Sequence, residues 1–208
     1  MDCIRNEQLP ELFEAIAAIM NENADHLCEM DAFMGDGDLG LTMKKGFSAL
    51  PGILRETDET DLGKRLMKAG MKMTSVVPST MGTLMGSGIM AGGKKLAGRE
   101  SMDAQGLALF LSGYAEGIVK RGKCQEGDRT VLDAIAPAAR AAEAHAGESL
   151  QVAAAAALKA AEDGVEATKD MLPKFGKAAV HAAKAKGVPD QGATAGMLVV
   201  KGICHYIG

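Results

Sequence analysis

Apolar residues recur every three or four positions along most of the chain, which is the spacing of one face of an α-helix. Leu12, Ile16 and Ile19 show this spacing near the start, and Leu107 and Leu111 show it near the middle. No segment alternates apolar and polar residues cleanly, as a half-buried strand would. The pattern therefore predicts eight helices, at 5–30, 40–50, 59–75, 79–98, 102–121, 130–146, 149–171 and 175–207, the last with a break near 187–192.

Short segments rich in glycine and proline, such as Pro51-Gly52, Pro78 and Gly147, separate the predicted helices. Helices joined by short loops pack antiparallel. We therefore expect an all-α fold, an eight-helix antiparallel up-and-down barrel or bundle, as a single domain over residues 1–208. Alternate loops of such a bundle meet at one end. The loops at 34–40, 78–82, 122–130 and 187–192 are expected to converge there.

Composition and charge narrow the classes of function. Hydrophobic residues make up 47% of the chain and charged residues 24%, which is typical of a globular protein. The net charge is −4 and Lys or Arg residues occur in runs no longer than two, so a general nucleic-acid binder is excluded. No apolar stretch is long enough to cross a membrane. The expected protein is cytoplasmic, with no membrane or nucleic-acid partner.

The densest polar feature is an acidic segment in which Asp31, Asp36 and Asp38 fall within eight residues, among glycines. A dinucleotide-binding loop needs a preceding strand, and these carboxylates would repel a pyrophosphate. A calcium-binding EF-hand loop would need a glutamate where Phe47 stands. Carboxylates are the hard oxygen ligands that Mg²⁺ prefers, and bound Mg²⁺ often takes phosphate oxygens as further ligands. A magnesium site and a solvated acidic turn that caps the next helix both remain open.

A second feature combines hydroxyls and glycine at a helix start, in Ser79, Thr80, Met81 and Gly82. The free N–H groups of a helix N-terminus attract anions, and a phosphate could bind there. Ordinary capping with close helix packing explains the same residues. Glycines also stand beside charged residues in three later loops, at 121–130, 176–177 and 190–192.

Taken in order, these motifs resemble those of the nucleotide-binding (DhaL-type) subunit of dihydroxyacetone kinase. The resemblance is carried by Asp31 with 34–38, by Lys45-Gly46-Phe47, by 127–130 followed by Asp133, and by 190–193. It covers residues 5 to 207 and implies an eight-helix antiparallel barrel with a Mg-nucleotide site at one end.

The resemblance also implies roles for particular residues. Two Mg²⁺ ions would be bound by Asp31, Asp36 and Asp38. No side-chain nucleophile is expected, because the transfer would be assisted by the metal ions. The nucleotide, ADP or ATP, would be contacted by Leu39, Gly40, Leu41, Thr42, Thr80, Met81, Gly122, Val131, Lys177, Asp190, Gln191 and Gly192, with Ser79 and Gly82 from the same loop.

The function implied is a subunit of a phosphoenolpyruvate-dependent dihydroxyacetone kinase that keeps ADP bound. A phosphohistidine on a phosphotransferase-system partner would rephosphorylate the ADP. The phosphoryl group would then pass from ATP to dihydroxyacetone on a separate substrate-binding subunit. The sequence differs from the family pattern at five of the residues that would contact the nucleotide, namely Leu39, Thr42, Met81, Lys177 and Gln191. Two alternative functions stay open: an ATP-dependent kinase subunit for another small ketose, and a non-catalytic regulatory nucleotide-binding module. A homodimer also stays open.

Overall fold

The computed structural model describes residues 1–176, 179–180 and 185–208. Its described part contains nine α-helices and two short strands. The strands are β1 (Ile4–Arg5) and β2 (Ser101–Met102), and they pair antiparallel. The helices are α1 (Leu9–Glu22), α2 (Ala24–Met34), α3 (Leu39–Glu56), α4 (Leu62–Val76), α5 (Thr80–Lys95), α6 (Ala104–Gly122), α7 (Leu132–Ala144), α8 (Leu150–Ala167) and α9 (Gln191–Ile207).

Eight of these helices form a closed ring. Each helix from α3 to α9 packs against the next, and α1 closes the ring by packing against both α3 and α9. The two contacts Asn21 to Ser48 and Glu14 to Arg55 show that α1 and α3 run antiparallel, because position increases along one helix as it decreases along the other. The all-α antiparallel barrel that the sequence predicts is confirmed.

The ninth helix, α2, was predicted as the second half of one helix over 5–30. The chain instead turns at Asn23, whose φ is −105° and whose side-chain Nδ2 donates to the Ile19 carbonyl oxygen 2.8 Å away. Asparagine favours such turns because its side chain competes for backbone hydrogen bonds. As a result, α2 leaves the ring and packs against α3 and α9 at one end of the barrel.

The predicted break at Pro51-Gly52 is wrong, because α3 continues through Pro51 to Glu56. Proline removes one N–H donor from a helix. Here Leu50 and Leu54, four residues apart on one face, are both fully buried, and this packing holds the helix together. At the other end of the chain α9 begins only at Gln191, so the described residues 175–176 and 185–190 are not α-helical. Residues 177–178 and 181–184 lie outside the described part.

Glycines allow close contacts between α4 and α5 and between α5 and α6. A Cβ at Gly70 would lie 2.6 Å from the Gly86 carbonyl oxygen, and one at Gly113 would lie 2.6 Å from that of Ala91. These contacts on both sides fix the position of α5, whose first residues face the cleft described below. Within the described ranges, none of the helices combines the length and the apolar character that crossing a bilayer requires.

Candidate functional site

The N-terminal ends of α3, α5, α7 and α9 meet at one end of the barrel, around a cleft of about 390 Å³. Unpaired N–H groups and the helix dipole make each such end favourable for an anion. The acidic loop, which we define as residues 35–38, forms one side of this cleft. Lining residues are Asp31, Gly35, Asp36, Asp38, Leu39, Thr42, Ser79, Thr80, Met81, Leu84, Arg129, Thr130, Val131, Phe175, Gly176, Asp190, Gln191 and Gly192.

The three aspartates form a cluster in which one carboxylate oxygen from each lies within 4.8 Å of the others. Asp31, on α2, is buried, whereas Asp36 and Asp38 are exposed. The Asp31 carboxylate accepts hydrogen bonds from the backbone N–H groups of Gly37, at 2.9 Å, and Asp38, at 3.2 Å. Like charges this close repel one another unless a cation lies between them. Three hard oxygen donors beside the cleft, two of them exposed, fit Mg²⁺.

Two glycines of the acidic loop are required by its shape. Gly37 has a φ of +76°, in the left-handed region that favours glycine. A Cβ at Gly35 would collide with the Asp31 carboxylate. Gly40 is also closely packed, but against the backbone of α2 at Ala24 rather than at the cleft surface.

The start of α5 lines another part of the cleft. The Ser79 hydroxyl caps the helix by accepting a hydrogen bond from the Gly82 N–H at 3.0 Å. Thr80 is exposed at the first helical position, while Gly82 is buried against Val77. Met81 lines the cleft, and its neighbours Leu84 and Val131 extend an apolar wall.

The start of α9 is fixed by a buried carboxylate. Asp190 Oδ2 accepts a hydrogen bond from the Ala193 N–H at 2.8 Å, and the Asp190 N–H donates to Thr168 Oγ1 at 2.8 Å. Burial raises the pKa of Asp190 to about 6, although the Ala193 amide and the Arg129 charge both favour the ionised form. Gln191 Nε2 lies 3.5 Å from Asp31 Oδ1, so the start of α9 approaches the aspartate cluster directly.

Most of the predicted site residues are brought together at this cleft. It is lined by the three aspartates and by Leu39, Thr42, Ser79, Thr80, Met81, Val131, Asp190, Gln191 and Gly192. Gly122 instead lines an adjoining cleft of about 770 Å³ that shares Ser79, Thr80 and Leu84 with the first. Gly40 and Gly82 lie behind the surface, Leu41 is 63% exposed outside the cleft, and Lys177 lies outside the described residues.

Sequence reasoning did not assign Leu84, Arg129, Thr130, Phe175 and Gly176 to the site, yet all of them line the cleft. Arg129 is the least expected, because it is a charged residue that is only 3% exposed. The segment 127–130 was recognisable as a motif, but neither the burial of Arg129 nor its φ of +60° can be deduced from residue types.

Comparison with known proteins agrees with this architecture. Residues 33–205 match the DAK2 domain family, and the chain belongs to this family. It is 29% identical to the ADP-binding subunit DhaL of the PEP-dependent dihydroxyacetone kinase of Escherichia coli K12, over 88% of each chain. It is 32% identical to the corresponding subunit of dihydroxyacetone kinase 1 of Listeria innocua, over 86% of each chain.

Longer proteins contain a similar region. The chain is 32% identical to the D-erythrulose kinase of Mycolicibacterium smegmatis over 94% of its own length, but it spans only 34% of that kinase. The crystal structure of the dihydroxyacetone kinase of C. freundii in complex with AMP-PNP and Mg²⁺ is similar, with a TM-score of 0.71 and 26% identity. That match covers 99% of this chain and 35% of the larger one. The chain is therefore related to kinases that phosphorylate small hydroxyketones.

Proposed function

We propose that this chain is the ADP-binding subunit of a phosphoenolpyruvate-dependent dihydroxyacetone kinase. The observation that carries the proposal is the cluster of Asp31, Asp36 and Asp38 at the cleft where four helix N-termini meet. Carboxylates that bind metal ions and amides that bind anions are the two requirements of a Mg-nucleotide site. The similarity to two ADP-binding subunits over most of their length supports the same reading.

The three aspartates would hold two Mg²⁺ ions, and these ions would neutralise and orient the nucleotide phosphates. Backbone N–H groups at the starts of α3, α5 and α9 would donate hydrogen bonds to phosphate oxygens. The apolar wall of Met81, Leu84 and Val131 offers contact for the nucleoside. The aspartates are metal ligands in this arrangement, so no side-chain nucleophile is needed.

Phosphoryl transfer would then proceed in two steps between partners. A phosphohistidine of a phosphotransferase-system subunit would give its phosphoryl group to the terminal phosphate oxygen of ADP held in the cleft, which would form ATP and free the histidine. A hydroxyl oxygen of dihydroxyacetone on the substrate-binding subunit would then accept the γ-phosphoryl group, which would restore ADP. The hydroxyl proton leaves to a base of that partner.

The substitution Asp38→Asn tests the metal site. It removes one metal ligand and one of three crowded charges, and the Asp38 side chain does not cap α3. We expect Mg²⁺-dependent ADP binding, measured by calorimetry, to be lost while the melting temperature of the free protein stays level or rises. Asp58→Asn, which removes an exposed carboxylate beyond the far end of α3, should bind like the wild type. A wild-type protein without Mg²⁺-dependent nucleotide binding would refute the proposal.

A second candidate is a subunit of an ATP-dependent kinase for a four-carbon ketose. The similarity to a D-erythrulose kinase favours it, at 32% identity. The two candidates differ in the source of the phosphoryl group. With labelled ATP in solution and both partner proteins present, rapid exchange of bound ADP for free ATP during turnover supports the ATP-dependent kinase. Retention of the original ADP over many turnovers supports the phosphoenolpyruvate-dependent one.

A further inference from the structure

Arg129 stands out among the residues that line the cleft, because its position is costly in two ways. Its guanidinium is buried, and among the described residues its Nε has no hydrogen-bond partner. Its backbone is left-handed, with a φ of +60°, which residues with a side chain seldom adopt. Costs of this kind are found where the surrounding structure imposes a conformation that function requires.

The loop that carries Arg129 is held rigidly enough to impose that conformation. The carboxylate of Asp133 accepts hydrogen bonds from the N–H groups of Gly127, at 2.6 Å, and Thr130, at 2.7 Å. Lys174 pairs with Asp128 in the same loop, at 2.6 Å. Residues on both sides of Arg129 are thereby fixed, and its side chain is directed into the protein.

The guanidinium of Arg129 contacts two segments that lead into the cleft. Its Nη2 donates to the Val188 carbonyl oxygen at 2.7 Å, and its Nη1 lies 3.8 Å from Met34 Sδ. Met34 is the last residue of α2, immediately before the acidic loop. Val188 lies in the segment 185–190, which we call the strap and which leads directly into Asp190 and α9.

Apart from Arg129, the strap is anchored by packing, because Ala185 and Met34 are buried together in one apolar cluster, and by two hydrogen bonds. In the described part of the chain, Gly187 N–H donates to the Lys169 carbonyl oxygen at 2.9 Å and Asp190 N–H donates to Thr168 Oγ1 at 2.8 Å. The acceptors of both hydrogen bonds lie just beyond α8, on one side of the strap. The Arg129 bond to Val188 holds the strap from the loop before α7 instead.

We propose that Arg129 is a positioning residue, which ties the strap to the end of α2 by contacting Val188 on one side and Met34 on the other. This inference rests on the proposed function, since the acidic loop that follows Met34 and the start of α9 that follows the strap both line the cleft where a Mg-nucleotide would bind. The positive charge of Arg129 also faces Asp190, whose ionised form it favours. Arg129 thus acts on the site by holding the strap in place.

The test replaces the guanidinium with an apolar group of similar length, in Arg129→Met, and with a shorter cation, in Arg129→Lys. Calorimetry measures the affinity for ADP with Mg²⁺, and hydrogen exchange measures local opening in the free protein. Arg140→Met is the matched control, because it makes the same change at an exposed arginine whose partner, Glu126, lies in the same loop as Arg129.

For Arg129→Met we expect the affinity to fall by roughly 10- to 100-fold, the effect typical of lost outer-shell support. Exchange should rise at the amides of Gly187 and Asp190 while the rest of the barrel is unchanged, since the lost bond is local. Arg129→Lys should restore part of the affinity, and Arg140→Met should match the wild type in both measurements.

Two results would overturn the inference. One is an affinity of Arg129→Met within twofold of the wild type. The other is faster exchange throughout the chain with a matching loss of thermal stability, which describes a residue that only supports folding. If Arg129→Met does not fold, Arg129→Lys decides by the same two criteria. Failure of the wild type to bind Mg-ADP would refute the proposed function instead, and the exchange measurement would still show whether Arg129 holds the strap.

Discussion

At the scale of single residues, Asp190 makes the stability of the protein depend on pH. Burial raises its pKa to about 6 in the folded chain, against about 3.8 for an unperturbed aspartate. Between these two values the folded chain binds more protons than the unfolded chain. The contribution of Asp190 to stability is therefore greatest below the lower value and is lost as the pH rises through the higher one.

The substitution Asp190→Asn isolates this effect, because asparagine caps a helix as well as aspartate but does not titrate. In urea unfolding without nucleotide, the free energy of unfolding of the wild type relative to Asp190→Asn should fall by about 2 kcal/mol between pH 4 and pH 7.5. A difference that stays constant over this range would show that the Asp190 carboxylate is not held in a protonated state by burial.

Asp61 provides the control for this measurement. It caps α4, and the hydrogen bond from the Lys64 N–H lowers its pKa. A lowered pKa stabilises the folded chain above the unfolded value, and this contribution is lost only as the pH falls through the folded value. The wild type relative to Asp61→Asn should therefore stay almost level from pH 4 to pH 7.5.

The sequence predicts the part of the site that is local in the chain, and only the structure shows the part that joins distant residues. Asp31, Asp36 and Asp38 could be predicted together because they lie within eight residues, so local chain geometry already brings them close. Arg129 meets Met34 across 95 positions of sequence, and only the closed ring brings them together. The glycines were harder to interpret, since Gly37 shapes the acidic loop while Gly40 permits close packing of α2.

At the scale of elements, two of the three glycines of α3 have opposite roles. A Cβ at Gly40 would collide with the Ala24 carbonyl oxygen and lie 2.8 Å from Cys28 Sγ, both on α2. Because backbone cannot yield as a flexible side chain can, Gly40→Ala should force α2 away from α3. A Cβ at Gly52 would meet nothing within 4 Å.

We therefore expect Gly40→Ala to lower the free energy of unfolding by about 1–3 kcal/mol, the usual effect of overpacking. Gly52→Ala should raise it by about 0.5–1 kcal/mol, because alanine restricts the unfolded chain and favours the helix. Urea unfolding measures both. Since α2 carries Asp31, Gly40→Ala should also weaken Mg²⁺-dependent binding, and Gly52→Ala should not. Equal effects of the two substitutions on stability would contradict the close contact between α2 and α3.

Helix periodicity predicted the ring helices well, because each buries one continuous apolar face against its neighbours. It failed where local signals and packing compete. Pro51 predicts a helix end, but burial of Leu50 and Leu54 on the same face keeps α3 intact. The region 5–30 keeps a helical apolar spacing across Asn23, so periodicity cannot show that α2 leaves the ring there. The direction of α2 follows from its contacts with α3 and α9, which no local pattern contains.

At the scale of the whole molecule, the candidate site joins parts of the chain that are far apart in sequence. Its lining runs from Asp31 to Gly192 and includes the starts of four ring helices. The ring is closed by contact between α1 and α9, near the two ends of the chain. A ligand bound at the cleft would therefore lie against the starts of four of the eight ring helices at once, and its binding energy should stabilise the barrel as one cooperative unit.

This reasoning predicts a single thermal transition that moves to higher temperature when Mg²⁺ and ADP are added together. A ligand at about 100 times its Kd adds roughly 2.7 kcal/mol to the folded state. For a chain of this size, each 1 kcal/mol corresponds to about 2–4 °C, so the shift should be about 5–11 °C. ADP with a chelator should produce little of this shift, because the carboxylate cluster then repels the phosphates. Asp38→Asn should show none with either addition. Calorimetry that resolves two transitions, only one of which responds to Mg-ADP, would mean that part of the ring unfolds independently of the site.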